Sequence, residues 1–198
     1  MTTLRIFLIA CCIGTVLGGG PSGLAVAAPG ESGGIDEPKP GSNPLGDGLI
    51  VAGQRVGPAR LSMTVDQITA AVGIRPKRDE FPQDGIILYE WRAEGLWVSV
   101  STATKAIRVI SAFGTSDKYR TEKGVSLLHP RSKMEETHGR NYKEYNYPKD
   151  EITLIRYHDL GLQFALVNKP STGVIHNRIF QIGVFKPGDL PPVRRATR

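Results

Sequence analysis

The chain has 198 residues, a formal net charge of +6 and two cysteines, Cys11 and Cys12. Both cysteines lie in an apolar leader, so a chain cleaved beyond them has no disulfide framework, thiol nucleophile or cysteine metal site. Basic and acidic residues interleave, as in Arg120-Thr121-Glu122-Lys123, which reads as a solvated surface and argues against nucleic acid as a partner.

Residues 1–27 read as a secretory signal. Arg5 precedes an apolar stretch from Ile6 to Leu17, then Gly18, Gly19, Gly20 and Pro21 break it, and Ala25-Val26-Ala27 supplies a small-x-small cleavage pattern. The same breakers interrupt any spanning helix, which needs about 20 continuous apolar residues. The expected destination is the periplasm or exterior of a bacterial cell. Leu8-Ile9-Ala10-Cys11 also fits a lipoprotein signal, so lipidation at Cys11 is the one route to a membrane. Residues 28–47, rich in Gly, Pro and Ser, read as a disordered linker.

Two similar units follow, over residues 48–115 and 116–187. Adding 66 to a residue number in the first reaches a similar residue in the second: Gly73 and Gly139, Asp84 and Asp150, Leu88 and Leu154, Gly95 and Gly161. In the first unit Thr64 and Gln67 form a capping box, Val65, Ile68 and Val72 share a helix face, and Gly73 ends the helix. Period-two alternation predicts strands at Ile86–Trp91, from Leu96 through Val100, and at Ala106–Phe113. In the second unit Pro130 starts a helix over Arg131–His138, and strands are predicted at Ile152–Tyr157, Gly161–Val167 and Val174–Val184. The expected class is α+β: two tandem helix-plus-antiparallel-meander repeats sharing a curved sheet, with both helices on one face and the other face partly open. Residues 188–198, with Arg194, Arg195 and Arg198, read as a disordered basic tail.

The pattern Met63-Thr64-x-x-Gln67-Ile68, closing on Gly73 and followed by strands in an exported two-repeat chain, resembles tandem-repeat β-lactamase-inhibitor-like proteins. It is also similar to the single-repeat outer-membrane assembly lipoproteins of the BamE (SmpA/OmlA) type. The resemblance implies a helix-on-sheet unit and a non-enzymatic role carried by a protein-contacting surface. The second unit has His129-Pro130-Arg131-Ser132 where the first has Met63-Thr64-Val65-Asp66, so the resemblance implies no particular target.

The search for chemistry gives little. His129, His138, His158 and His176 lack the close spacing of a metal pair, and no cofactor motif is present. Asp84 and Asp150 match between the units and read as turn formers. Gly139–Pro148 reads as a loop carrying Tyr142, Tyr145 and Tyr147 with Arg140, a composition typical of protein-binding surfaces. Trp97 alternates with Leu96 and Val98, so it belongs to the opposite, open face, where Arg92, Ser99 and Gln163 join it. The expected function is non-enzymatic recognition of a protein partner through that face and loop, with no metal and no cofactor. The alternatives are a hydrolase using His158 with Asp159, and a lipid-anchored envelope assembly factor.

Overall fold

The computed structural model describes residues 46–115, 117–170 and 175–189. Residues 1–45, read as a leader and most of a linker, and residues 190–198, read as part of a tail, lie outside the described residues. Among the described residues, three short strands come first, β1 (Leu49–Val51), β2 (Arg55–Val56) and β3 (Ala59–Arg60), followed by helix α1 (Val65–Val72). A meander comes next: β4 (Lys77–Phe81), β5 (Ile86–Trp91), β6 (Leu96–Ser101) and β7 (Ile107–Phe113). Strand β8 (Arg120–Thr121) leads to helix α2 (Arg131–His138) and a second meander, β9 (Lys143–Tyr147), β10 (Ile152–Tyr157), β11 (Leu162–Val167) and β12 (Ile179–Val184).

The strands form two sheets. One has the order β3-β2-β1-β8, and the other, eight-stranded, has the order β4-β5-β6-β7-β12-β11-β10-β9. The large sheet is palindromic, with β7 and β12 paired antiparallel at its centre, Ser111 opposite Gly183, and β4 and β9 at its two edges. Gly95 and Gly161 stand at equivalent points: each carbonyl accepts from the amide of a phenylalanine, Phe113 or Phe185.

The α+β class expected from the sequence does not stand. The protein is mainly β, with twelve strands in two sheets and two α-helices of eight residues each among the described residues. Geometry gives the reason. An eight-residue helix is about 12 Å long, whereas eight strands span about 34 Å. Two such helices cannot cover the sheet, and part of the cover is supplied instead by the four-stranded sheet. Ile50, Val56 and Ala59 of that sheet join Ile68 and Val72 of α1 and Met134 of α2 in the core, against Leu96, Val98, Ile110, Ile155, Phe164 and Ile182 of the large sheet. Among the unpredicted strands are the two most polar ones. β4 and β9 are edge strands with the mostly polar sequences KRDEF and KEYNY.

The first helix is capped from its own sequence. The amide of Gln67 donates to Thr64 Oγ1 at 3.2 Å, and the amide of Thr64 donates to Gln67 Oε1 at 2.8 Å. Helix α2 has no side-chain cap, with Pro130 at its N-terminus. A set of bonds to β9 and to the segment just before it holds it instead.

Candidate functional site

Residues directly opposite each other on paired antiparallel strands point to the same face of a sheet. One unbroken row therefore crosses the face turned away from the core: Lys77, Glu90, Trp97, Ser111, Gly183, Gln163, Arg156 and Lys143, one residue from each of the eight strands. The buried side chains of α1, α2 and the four-stranded sheet enter the core on the other side. Among the described residues, this face is left to its own strands and turns.

The row is polar and yet shielded. Glu90 is 8% exposed, Gln163 6%, Arg156 4% and Ser111 2%. Neighbouring side chains do the shielding. At the centre Gly183 makes room, since a Cβ there would sit 2.7 Å from Ser111 Oγ and 3.0 Å from the Gln163 side chain. Gln181 donates to Ser111 Oγ at 2.9 Å. Toward β9, Arg156 Nε donates to Gln163 Oε1 at 3.0 Å, and its guanidinium carbon stands 5.7 Å from the Tyr145 ring centre and 5.9 Å from that of Phe185. Cation–π contact of this kind stabilises a charge that has lost water. Burial still draws the Arg156 pKa below its ordinary value.

His158 completes this side of the face. Its ring meets Tyr145 edge-on and Phe185 on the other flank, and its Nε2 lies 3.3 Å from the Tyr145 hydroxyl. Nδ1 is buried without a hydrogen-bond partner. Burial lowers the His158 pKa, nearby Lys143 and Arg156 lower it further, and Asp159 acts weakly in the opposite sense. Toward β4, Trp97 stacks on Phe113 with ring centres 4.3 Å apart and 24° between planes, and its Nε1 is buried without a partner.

The five residues singled out in the sequence are not brought together. Trp97, Tyr145 and Tyr147 lie on the uncovered face, although Trp97 and Tyr145 are separated by five strand spacings, about 24 Å. Tyr142 and Arg140 belong to the core side. Arg131 of α2 donates through Nη2 to the Tyr142 hydroxyl at 2.6 Å and to Glu144 Oε2 at 2.7 Å, and through Nε to Glu135 Oε1 at 2.8 Å. The Tyr142 hydroxyl donates to Glu135 Oε1 at 2.7 Å, Arg140 Nε donates to Glu135 Oε2 at 3.0 Å, and the Tyr142 ring packs edge-on against Tyr157. The bond from Tyr142, with that from Arg131, holds the Glu135 carboxyl down to about 2. These contacts fasten α2 to β9 and to the segment that leads into it. The segment 139–148, read as a loop, is largely an edge strand, and alternation along it sends Tyr145 and Tyr147 to one face while Tyr142 precedes the strand.

Sequence reasoning passed over Glu90, Arg156, Phe113 and Phe185. A signal for two of them was present: Arg156 interrupts the apolar run ITLIRY, and it stands 66 residues after Glu90. Among the described residues, no group of three or more His, Cys, Asp or Glu is placed to hold a metal ion. Neither a family model nor a curated protein matches the chain. A solved structure of a DUF4309 family protein, YjgB from Bacillus subtilis, is similar to it with a TM-score of 0.46 at 16% identity, over 68% of this chain and 88% of that one. A likeness at that level carries no functional argument.

Proposed function

We propose that the chain is an exported, non-enzymatic binding module that recognises a protein partner on the uncovered face of its eight-stranded sheet. One observation carries the reading: a single row across that face gathers shielded polar side chains, with the Trp97–Phe113 stack within its first half and the Tyr145–His158–Phe185 group beside Arg156 in its second. Aromatic anchors with arginine beside them are the residue types that carry most of the energy of protein interfaces. The order in the free protein also favours binding, because side chains already held by stacking lose little entropy when a partner arrives. The sequence resemblance to exported binding modules agrees with this reading, and so does the signal expected at residues 1–27.

The test is site-specific photo-crosslinking in the producing cells, with the photoreactive residue at Ser99 or Gln181 on the face and at Glu136 on exposed α2. Face positions should capture a partner protein that Glu136 does not. Trp97→Ala or Tyr145→Ala should abolish that capture. The same captured proteins at all three positions, or capture indifferent to both substitutions, defeats the reading. Intact mass of the exported protein separates an N-terminus at Ala28 from a lipidated Cys11.

A further inference from the structure

The large sheet ends in two equivalent edge strands, β4 and β9, whose residues correspond at a separation of 66: Lys77 and Lys143, Arg78 and Glu144, Asp79 and Tyr145, Glu80 and Asn146, Phe81 and Tyr147. Among the described residues each strand pairs with one neighbour, β5 or β10, so half of its backbone amides and carbonyls face away from the sheet, where a further strand can meet them. The two edges are guarded differently. Four consecutive charges occupy β4 and pair along the strand, Lys77 with Asp79 at 2.8 Å and Arg78 with Glu80. In β9 two of those four positions are Tyr145 and Asn146. Charge on an edge strand opposes its pairing with another chain, and β9 has half as much of it.

The difference decides what each strand makes of its own copy. Two antiparallel copies of one strand, related by a two-fold axis along the sheet normal, set one residue opposite itself. On β4, an axis at Lys77, Arg78, Asp79 or Glu80 sets a charge against the same charge, and like charges directly opposite destabilise a pair. On β9, an axis at the middle residue, Tyr145, sets no like charges together. Tyr145 meets Tyr145 of the second copy, Lys143 meets Tyr147, and Glu144 meets Asn146. These are an aromatic pair, a cation beside an aromatic ring, and a carboxylate beside an amide donor. Lys143, Glu144 and Asn146 are exposed, so the strand presents them to an incoming chain.

We infer that β9 pairs antiparallel with β9 of a second copy of this chain, in the register centred on Tyr145. The two large sheets join into one, and because the axis is normal to the sheet both uncovered faces point the same way. The group of Tyr145, His158 and Phe185 gains Tyr145 of the second copy as a neighbour across the seam. The contact is isologous, and assembly closes at two because the outer edges are then the charged β4 strands. An edge of five residues buries little area, which places the dimer among weak, reversible associations.

The inference goes beyond the partner reading and does not depend on it; crosslinking from the face decides that reading separately. Sedimentation velocity of the mature chain over a range of concentrations should show a reversible monomer–dimer equilibrium. Asn146→Glu sets a carboxylate against Glu144 twice in the two-fold pair and should weaken the dimer about tenfold or more. Asn146→Lys, at the same exposed position, should keep or tighten it, and Glu80→Lys, at the matching exposed position of β4, should leave it unchanged. Tyr145→Cys in a chain beginning at Ala28, which has no other cysteine, should form a disulfide-linked dimer on oxidation, whereas Asp79→Cys should stay monomeric. A monomer at every concentration, a dimer indifferent to both substitutions at Asn146, or one weakened equally by Glu80→Lys overturns the inference.

Discussion

The two halves of the large sheet share a strand order and differ in what they place at equivalent positions. At one pair of positions the first half has Glu90 and the second Arg156; at another, Trp97 and Gln163. On the core side the first half has Val72 and the second His138 at the ends of their helices. The difference separates two kinds of constraint. Glycines and apolar residues recur because the backbone and core need them. The divergent residues lie on the uncovered face or at the ends of the helices, where each half is free to do something the other does not.

The largest effect should come from the shared glycines. A Cβ at Gly161 would collide with the Phe185 carbonyl oxygen and lie 2.9 Å from Gly53 Cα, whereas one at Gly95 would sit 2.7 Å from the Phe113 carbonyl oxygen. Both have φ near +64°, a region that side chains other than glycine adopt at a cost. Gly161→Ala should cost about 3 kcal/mol or more, and Gly95→Ala roughly 2 kcal/mol. Denaturant unfolding checks both, and equal losses would show that the second half is no more tightly built than the first.

Next is acid sensitivity. His138 lies between Tyr157 and Phe164 with both ring nitrogens buried and unpartnered, and burial, aided by Lys123, lowers its pKa from 6.5 to about 4. The folded value is below the unfolded one, so its stabilising effect is complete above pH 6.5 and is lost as pH falls toward 4. After allowance for partial exposure, the loss should be about 2 kcal/mol. His138→Val, which copies the first half, should remove that part of the pH profile. An unchanged profile would place the acid response elsewhere.

The helix starts offer a smaller contrast. Thr64→Ala breaks the capping box of α1 and should cost about 1 kcal/mol, while Pro130→Ala removes no side-chain cap from α2. Thermal unfolding of the pair tests whether α2 depends instead on its Arg131 bonds to β9. The smallest effect is expected at the β4 edge. Lys77→Ala loses an exposed ion pair with Asp79 and should shift stability by less than about 0.5 kcal/mol.

These contrasts also show what the sequence made legible. The inner strands and α2 were readable because alternation and the Pro130 and Gly139 boundaries are local signals. The four-stranded sheet was not, since its strands are two or three residues long and its β1–β8 pairing joins Leu49 to Arg120, far apart in the chain. Class failed for the same reason: helix length set the expectation, and distant pairing set the result. At the site, Trp97 could be assigned a face because Leu96 and Val98 flank it. The tyrosines were not sorted, because the mostly polar segment read as a loop and only Tyr145 and Tyr147 mark the period of β9.

The central β7–β12 pairing has a consequence for how the chain folds. It matches Phe113 with Gln181 and Ile110 with Val184, whereas every other pairing in that sheet joins consecutive strands. Each meander can zip from its own hairpins, but the seam must close a loop of about 70 residues, and contacts at such separation form late because chain entropy is lost before they reward it. Until it closes, β7 and β12 are both open edges, so the middle of the finished sheet is the part of the nascent chain most exposed to mispairing with another molecule.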